Sequence, residues 1–595
     1  MVNEPAGGYL YLALIGLALL AFGLRIYRIQ YQSLWRDEVD AVIFATRDLR
    51  AILNTFTSVG ENGPLYFLGL HGWIRLAGQS EFSVRFPSAC FGTLAVLATY
   101  QLGRELVGYR VGLIGALPMA FSPYHIWYGQ EAKMYALISF LAPLSLLILL
   151  RLLRGGRRWL WLVWAGLMVA FLYIHLFATM MALVSACWIP LVLRRRPRLT
   201  LPLIVAVLLL TGAVLPVGRW LLPAVLTPVN TGYYPYNLLQ MVSILLRGFS
   251  MGIRPASGLL PVGLYALLLI AGVVPLARQR TAPDWPPARG VLLLVLYLCI
   301  PLLAIWLVSL RRPTFTDRYL IVSLPAFFLL IATGIVVIQH TAAALLAEWR
   351  RSAAPASMEG DVAGGRSGVP RDMLVQDAVT VQPATSTRHR RIAATRLGRA
   401  GAEERNANTG FTAAAPSGAD TDATTPSPST DNGEAVPPRI DGQAGSAPAR
   451  ERRLAQLVGI SLVVLVVVAS LPFVYAQSHN AYKADFRAAT RYVEQQYTPD
   501  DLLVFLMPYV QRAFAYYHPE PVRTADPPFT SGMSAAQVDA AMRSLTAGYK
   551  KVELFLSETD FWDPQGQILA WMDRNGALRC RQEFAYIEVR CYELK

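Results

Sequence analysis

Charged residues are scarce in this chain of 595 residues. Asp, Glu, Lys and Arg make up 16% of it and hydrophobic residues make up 54%, whereas an average soluble protein has roughly 25% charged residues. Apolar runs of about 20 residues recur along the sequence, and a helix of that length crosses the hydrocarbon core of a bilayer. The composition therefore excludes a soluble multidomain enzyme and predicts an α-helical polytopic membrane protein.

Lysine and cysteine are also rare. Only five of the 54 basic residues are Lys, so the net charge of +15 comes mainly from Arg. The Arg residues lie mostly in short loops between apolar runs, which is typical of membrane topology signals and argues against a nucleic-acid partner. The five cysteines form no CxxC motif or Cys/His cluster, which argues against a structural zinc site. Cys580 and Cys591 could pair if the C-terminus lies in an oxidising compartment.

The apolar runs predict eleven spanning helices. Arg-rich loops follow the fourth, sixth and eighth of them, and the positive-inside rule assigns these loops to the cytoplasm. The N-terminus is then cytoplasmic and the tail after residue 475 is extracytoplasmic. The predicted spans are 9–24, 86–103, 111–128, 134–153, 158–173, 175–193, 200–222, 258–277, 289–310, 319–340 and 454–475.

The remaining segments divide the chain further. Residues 1–340 form the predicted transmembrane region, and its long first outer loop, 25–85, contains a helix at 64–78 that is too short to span and is predicted to be interfacial. Residues 341–453 are rich in Ala, Pro, Ser, Thr and Gly and predict a disordered cytoplasmic loop. After the last span, 454–475, residues 476–595 alternate helical and strand patterns and predict a small extracytoplasmic α/β domain.

Acidic residues begin the first outer loop. Asp37 and Glu38 follow directly after Trp35-Arg36, and a carboxylate near a low-dielectric surface can serve as a general base. The alternative is that both residues favour the start of a helix. Further along the loop, Glu61, Asn62 and Tyr66 surround a Gly-Pro turn and are candidate binding residues.

Two more outer segments carry polar and aromatic side chains. The stretch SPYHIWYGQEAKMYAL combines hydrogen-bonding groups with rings, which suits a sugar, although anchoring at the membrane interface explains it equally well. Its candidate residues are His125, Tyr128, Gln130, Glu131, Lys133 and Tyr135. In RRPTFTDRYL, Arg318 lies at the start of a span where an Arg can bind a phosphate, next to Tyr319; generic phospholipid anchoring is the alternative.

These stretches resemble the GT-C polytopic glycosyltransferases, in particular the bacterial branch related to protein O-mannosyltransferases and lipid A aminoarabinose transferases. The matching segments are WRDEVDAVIFA, GPLYFLGLHGWIRLAGQSEFSVRFPSACFG, GQEAKMYAL, DRYLIVSLPAFFLL and YKADFRAATRYVEQQYTPDDLLVF. The resemblance implies transfer of a sugar from a polyprenyl-phosphate donor to a lipid, glycan or protein acceptor on the outer face of the plasma membrane. It also implies that Asp37 is the base, Glu131 a second acidic position and Arg318 a phosphate-binding residue.

The chain departs from this family at two places. Asn62-Gly63-Pro64-Leu65 stands where the family often has His-Pro-Pro-Leu, and Lys133 stands where Arg is common, which keeps the charge but loses the bidentate geometry. Asp37, Glu38, Glu61 and His175 could converge on a divalent metal, but no cofactor is certain. A lipid or sugar transporter (flippase) and a non-catalytic membrane scaffold are the rival interpretations, although the spans show no evident repeat.

Overall fold

A computed structural model describes residues 7–56, 63–194, 200–226, 233–253, 259–278, 286–353 and 449–595 of the chain. Most of the described residues before 480 are helical, and those after it fold into an α/β domain. In this described part of the chain, eight helices are long and apolar enough to cross a membrane, judged by length and composition. The chain is thus a multi-pass membrane protein, as its composition predicts.

The first outer loop contains three short helices between two apolar ones. The apolar helices are α1 (Gly7–Ile26) and α5 (Glu81–Leu106), and between them lie α2 (Arg36–Thr46), α3 (Leu49–Asn54) and α4 (Pro64–Ala77). The short helix predicted at 64–78 is confirmed as α4. Its His71 is buried and its Nδ1 lies 2.8 Å from the carbonyl oxygen of Ala45, so α4 packs against α2.

A break divides the next predicted span. The helices here are α6 (Tyr109–Phe121), α7 (Pro123–Gly129), α8 (Tyr135–Leu153), α9 (Leu160–Ile174), a 3-10 helix (Leu176–Thr179) and α10 (Met180–Leu193). The prediction of one helix over 111–128 is wrong, because the chain leaves the helix at Ser122. The Ser122 hydroxyl accepts a hydrogen bond from the amide of His125 at 3.2 Å and so caps a new helix that starts at Pro123, a favoured first position for proline.

The second half of the membrane region contains one helix that the sequence did not predict. Its elements are α11 (Thr200–Leu226), α12 (Leu238–Met251), α13 (Leu259–Ala277), α14 (Ala288–Ser309), a 3-10 helix (Asp317–Ser323), α15 (Leu324–Ala353) and α16 (Ala449–His479). The unpredicted helix is α12, whose 14 residues are too few to cross a bilayer. The segment 341–453 was predicted to be disordered, but α15 continues to residue 353 and α16 begins at residue 449, so both ends of this segment are helical. Its remaining residues, 354–448, lie outside the described residues.

Small residues allow close helix packing in the membrane region. A Cβ added at Gly334 of α15 would lie 2.0 Å from the carbonyl oxygen of Leu268 on α13, and one added at Gly103 of α5 would lie 2.8 Å from Cα of Gly112 on α6. Membrane helices associate through such contacts because lipid tails supply no hydrophobic drive between them. This packing joins α13 to α15 and α5 to α6.

The C-terminal residues form the predicted α/β domain. Its elements are α17 (Phe486–Glu494), β1 (Leu502–Phe505), a 3-10 helix (Pro508–Val510), α18 (Gln511–Tyr517), β2 (Thr524–Ala525), α19 (Ala535–Thr546), β3 (Lys551–Leu556), α20 (Thr559–Trp562), α21 (Gln567–Asn575), β4 (Gly576–Phe584) and β5 (Ile587–Leu594). The strand order is β2-β1-β3-β5-β4. Strand β1 is parallel to both neighbours and the other pairs are antiparallel. Cys580 and Cys591 form a disulfide between β4 and β5.

The C-terminal domain packs directly on the first outer loop. Val39 and Val42 of α2 share a hydrophobic core with Phe486, Phe514 and Phe555 of the domain. Where the chain enters the domain, the side-chain oxygen of Gln32 accepts hydrogen bonds from the amides of residues 482 and 483 at 2.9 and 2.8 Å. The start of α2 is therefore held between the membrane helices and the soluble domain.

Candidate active site

A cavity of about 780 Å³ opens between the membrane helices and the C-terminal domain. Four basic and four acidic side chains line it, together with aromatic and hydroxyl groups. From the membrane region come Trp35, Arg36, Trp127, Tyr128, Glu131, Ile244, Arg247, Gly248, Gly252, Ile253, Thr316, Asp317 and Arg318; the C-terminal part contributes Tyr482, Lys483, Ala484, Phe486, Ser557, Glu558, Thr559, Asp560 and Tyr586. A cavity of this size, placed where two domains meet and lined by convergent polar groups, is a typical ligand site.

Asp37 and Arg318 form an ion pair at the membrane wall of this cavity. Asp37 occupies the first turn of α2, and its Oδ2 lies 3.0 Å from Nη1 of Arg318. The Oδ1 atom lies 3.6 Å from Nε of Arg36. Arg318 lines the cavity, and the side chains of Asp37 and Arg318 are 15% and 22% exposed. The structure thus brings together the predicted base and the predicted phosphate-binding residue in a place that solvent or a ligand can reach.

Glu38 lies in a different environment from its neighbour. It is fully buried, and its two oxygens accept hydrogen bonds from Nε and Nη2 of Arg85, both at 2.7 Å. The Lys483 ammonium and the amide of Ala132 add bonds of 2.9 Å each. Burial raises the pKa of Glu38, but Arg85 and Lys483 outweigh burial and leave the pKa at about 2. These contacts argue against the predicted catalytic role, because no lone pair faces the cavity, and we assign Glu38 to positioning.

Glu131 is the second carboxylate of this buried cluster. It is 1% exposed and lines the cavity. Its Oε1 lies 3.4 Å from Nζ of Lys483, and neither of its oxygens has a hydrogen-bond partner among the described residues. Burial raises the pKa of Glu131, and Lys483 opposes that rise. Lys483 therefore bridges two carboxylates of the membrane region from the first residues of the C-terminal part.

Tyr128, Tyr135, Tyr319 and Lys133 lie around the ion pair. Tyr128 lines the cavity, and its ring centroid is 5.0 Å from that of Tyr135. The Arg318 guanidinium lies 6.0 Å from the ring centroids of both Tyr135 and Tyr319. Burial lowers the pKa of Lys133, while Asp37 raises it and Arg318 lowers it, so its ammonium belongs to the same electrostatic group although it does not line the cavity. These four residues stay candidates for positioning or binding.

Three other predicted binding residues do not line the cavity. His125 is fully buried, with Nδ1 at 2.5 Å from Nη2 of Arg25 and Nε2 at 2.6 Å from Oγ of Ser139. The side-chain Nε2 of Gln130 donates hydrogen bonds to the carbonyl oxygens of residues 25 and 27 at 3.1 and 2.9 Å. Tyr66 is buried within α4. Hydrogen bonding and packing explain all three, and the remaining candidates, Glu61 and Asn62, lie outside the described residues.

The residues suggested for a metal do not form a ligand set in the part of the chain that the structure describes. No three His, Cys, Asp or Glu side chains there are grouped so that they could hold a metal ion. Of the suggested ligands, Glu38 is bound by Arg85 and Lys483, and His175 is buried, with Nδ1 accepting a bond from the amide of Phe177 at 3.3 Å. We therefore derive no step through a metal.

Sequence reasoning missed several residues of the cavity. Arg247 comes from α12. The signal available in the sequence was a lone Arg in a short apolar helix that begins with the capping box of Asn237 and Gln240. Lys483 lies in the matching segment YKADFRAATRYVEQQYTPDDLLVF, but it was not named as a site residue. Residues 557–560 and Tyr586 lie far along the chain, and no local pattern places them against the membrane helices.

Comparisons with known proteins agree with this architecture. Residues 61–220 match the sequence model of the dolichyl-phosphate-mannose-protein mannosyltransferase family. No curated protein sequence matches the chain. The apo ArnT from Cupriavidus metallidurans is 14% identical, with a TM-score of 0.53, over 99% of this chain and 98% of that one.

Two further structures are similar over most of the chain with lower scores. The same ArnT bound to undecaprenyl phosphate has a TM-score of 0.48 and 12% identity, over 99% of this chain and 98% of that one. The apo oligosaccharyltransferase from Archaeoglobus fulgidus has a TM-score of 0.49 and 11% identity, over 96% of this chain and 73% of that one. The resemblance seen in the sequence is confirmed at the level of architecture: the chain has the fold of the GT-C polytopic glycosyltransferases.

Proposed function

We propose that this protein is a membrane glycosyltransferase that takes a sugar from a polyprenyl-phosphate donor and transfers it to a hydroxyl or amine acceptor on the extracytoplasmic face of the plasma membrane. The observation that carries the proposal is the Asp37–Arg318 ion pair, with 3.0 Å between Oδ2 and Nη1, at a cavity of about 780 Å³. The matched mannosyltransferase family and the ligand of the ArnT structure name lipid phosphates of the same chemical class.

The cavity offers cations for the donor phosphate. Arg318 and Arg247 line its membrane wall, and Arg36 and Lys483 lie on the same cavity surface. A guanidinium matches the oxygens of a phosphate in a bidentate arrangement. Polyprenyl phosphate leaves with negative charge on its oxygens, and fixed cations beside the developing charge lower the barrier of that step. We assign this role to Arg318 first, because it is also held next to the proposed base.

Asp37 accepts the acceptor proton in the proposed reaction. The acceptor oxygen or nitrogen attacks the anomeric carbon, the bond from that carbon to the phosphate oxygen breaks, and the acceptor proton moves to the Asp37 carboxylate. Without donor, Arg318 pairs with Asp37 at 3.0 Å. A bound phosphate competes for Arg318, which frees the Asp37 carboxylate to accept a hydrogen bond from the acceptor once the donor is in place.

The disulfide supports the proposed orientation. Cys580 and Cys591 are bonded within the C-terminal domain, and such bonds persist outside the cytoplasm. With the C-terminal domain outside, the cavity opens on the extracytoplasmic face, where the predicted topology also places it.

Donor consumption tests the proposal. Full-length protein in nanodiscs of phospholipids without sugar head groups is incubated with a panel of polyprenyl-phosphate sugars and acceptors, and released polyprenyl phosphate is measured. We expect release from at least one donor, and only when an acceptor is present. Movement of the intact donor between leaflets without release would instead support the flippase interpretation. Neither release nor movement, from protein that remains monodisperse, would leave the scaffold interpretation.

A further inference from the structure

Charged groups are distributed unevenly over the cavity. Its membrane wall contains Arg36, Arg247 and Arg318 together with Glu131 and Asp317, and Lys483 lies beside Glu131. The facing surface of the C-terminal domain contributes Ser557 and Glu558 from the turn after β3, Thr559 and Asp560 from the first residues of α20, and Tyr586 from the turn between β4 and β5. We call these last five residues the acceptor rim. Both of its charged groups are carboxylates, so a phosphate is attracted to the membrane wall and repelled by the rim.

The backbone of the acceptor rim is strained. Among the described residues, positive φ angles outside glycine occur at three positions, and two of these are Glu558 (φ 53°) and Tyr586 (φ 55°). A side chain in this left-handed region costs roughly 1–2 kcal/mol relative to ordinary backbone. Two strained residues from separate turns line the same cavity, and strain that recurs at one site is typical of functional surfaces.

Side-chain contacts connect the rim to the proposed base. The hydroxyl of Tyr509 donates a hydrogen bond to the carboxylate of Glu558. The guanidinium of Arg36 lies 4.5 Å from the centroid of the Tyr509 ring, and its Nε lies 3.6 Å from Oδ1 of Asp37. Glu558 is thereby held on the side of the cavity next to Asp37, where an acceptor has to lie if its proton is to reach that carboxylate.

From these observations we propose that the acceptor rim binds an uncharged polyhydroxyl group, the head of a glycan or glycolipid acceptor. Carboxylates accept bonds from neighbouring hydroxyls, the hydroxyls of Ser557 and Thr559 can donate as well as accept, and the ring of Tyr586, in a side chain that is 54% exposed, offers a face for the C–H groups of a sugar. An amine acceptor would require only the carboxylates of the rim, so the hydroxyls and the ring favour a sugar. The inference rests on the proposed function, since it names the acceptor class of the same cavity.

A charge-matched pair of acceptors tests the rim. The probes are octyl β-glucoside and its 6-phosphate, supplied to protein in sugar-free nanodiscs with the donor found in the panel. We expect wild type to prefer the uncharged probe at least about tenfold in kcat/KM, because like charges repel at the rim. In the double variant Glu558→Gln/Asp560→Asn we expect this preference to fall below about threefold, since the repulsive charges are gone, while KM for the uncharged probe rises and KM for the donor stays within twofold.

A second pair of carboxylates provides the control. Glu520 and Asp526 lie on the C-terminal domain, are exposed and do not line the cavity. The variant Glu520→Gln/Asp526→Asn changes the net charge by the same amount, and we expect it to keep the wild-type preference. An equal loss of preference in both double variants would overturn the inference, because it would reflect the overall charge of the domain. An unchanged preference in Glu558→Gln/Asp560→Asn would overturn it as well.

Tyr586→Asn separates packing from charge. Asn tolerates the left-handed backbone, so this variant keeps the turn and removes the ring. We expect KM to rise for both probes by a similar factor, with the preference between them unchanged; no change in either KM would count against a sugar site.

Methyl β-glucoside distinguishes the two acceptor sources. A kcat/KM equal to that of octyl β-glucoside supports a free glycan, and a lower kcat/KM supports a glycolipid. If wild type consumes no donor with any probe, the proposed function itself fails, which differs from consumption with unaltered preference.

Discussion

Two ion clusters meet at the start of α2, and they differ in access to solvent. Glu38 and its partner Arg85 are 0% and 1% exposed, whereas Asp37 and Arg318 are 15% and 22% exposed. The buried cluster joins α2, α5 and the first residues of the C-terminal part through Lys483. The cavity pair joins α2 to the start of the helical segment before α15 and borders the cavity.

The difference shows how neighbouring carboxylates acquire separate tasks. A charge that is removed from water must have partners for all its lone pairs, and those partners are then fixed. A partly exposed pair keeps a partner that a ligand can replace. Glu38 therefore holds three segments in register, while Asp37 stays available for the proton transfer that we propose.

The largest effect is expected from Glu38→Ala. Removing this carboxylate leaves Arg85 buried without its anion and leaves Lys483 with Glu131 alone, and breaking a buried pair in this way costs about 3–5 kcal/mol. We expect a strongly lowered unfolding midpoint and little monodisperse protein, measured by intrinsic fluorescence and size exclusion after matched expression. Wild-type stability of Glu38→Ala would contradict the structural role.

Replacing the whole cluster by apolar residues is the control for this loss. Because Lys483 also pairs with Glu131, the control is Glu38→Met/Arg85→Met/Glu131→Met/Lys483→Met, in which no charge of the cluster is left without a partner; apolar replacements of buried ion clusters are often tolerated. We expect this quadruple Met variant to be more stable than Glu38→Ala. If both variants unfold alike, packing around residue 38 rather than charge balance explains the loss.

Asp37→Asn is expected to affect turnover instead of stability. A general base contributes typically about 10²–10⁴-fold to a rate, so release of polyprenyl phosphate should fall by that order. The unfolding midpoint should change little, because a partly exposed ion pair contributes only about 0–1 kcal/mol. Asp40→Asn on the same helix is the matched control, since Asp40 pairs with Arg512 at 3.3 Å and does not line the cavity. Full turnover in Asp37→Asn would refute the base assignment.

Acid should unfold the protein partly through the buried cluster. The pKa of Glu38 falls from its ordinary value of 4.5 to about 2 in the fold, so its stabilisation is complete above pH 4.5 and is lost as the pH falls towards 2. The shift corresponds to a contribution on the order of 3 kcal/mol. Unfolding followed from pH 6 to pH 2 should show a steeper loss in wild type than in the quadruple Met variant. Parallel curves would assign acid sensitivity to other carboxylates.

The sequence predicted the membrane region better than it predicted the site. Among the described residues, eight of the eleven predicted spans coincide with helices long and apolar enough to cross a membrane, and the other three, 111–128, 158–173 and 200–222, contain shorter apolar helices. Long apolar runs have one main physical solution in a bilayer. The break at Ser122 and the 14-residue helix α12 were missed, since both depend on local capping and on length below a span.

At the site, the sequence predicted which residues take part but not the environment of each one. Asp37, Glu131 and Arg318 were named from their positions at the outer ends of spans; Glu131 and Arg318 line one cavity, and Asp37 pairs with Arg318 beside it. The separate environments of Asp37 and Glu38 could not be predicted, because Glu38 is buried by Lys483, more than 400 residues later in the chain. The acceptor rim could not be predicted for the same reason: domain docking has no local pattern.

The smallest of these effects is expected for Arg318→Lys, which tests whether the cavity pair binds through shape or through charge alone. Lysine keeps the positive charge but loses the planar fork that matches phosphate and carboxylate oxygens. We expect KM for the donor to rise about tenfold and the unfolding midpoint to stay near that of wild type, as for Asp37→Asn. Arg311→Lys is the control, since Arg311 is exposed in the same loop and does not line the cavity. A similar rise in KM in both variants would show that the loop acts through a general attraction for anionic lipid. A rise confined to Arg318→Lys would show that the donor phosphate is bound by the guanidinium that contacts Asp37, and not by the surrounding membrane surface.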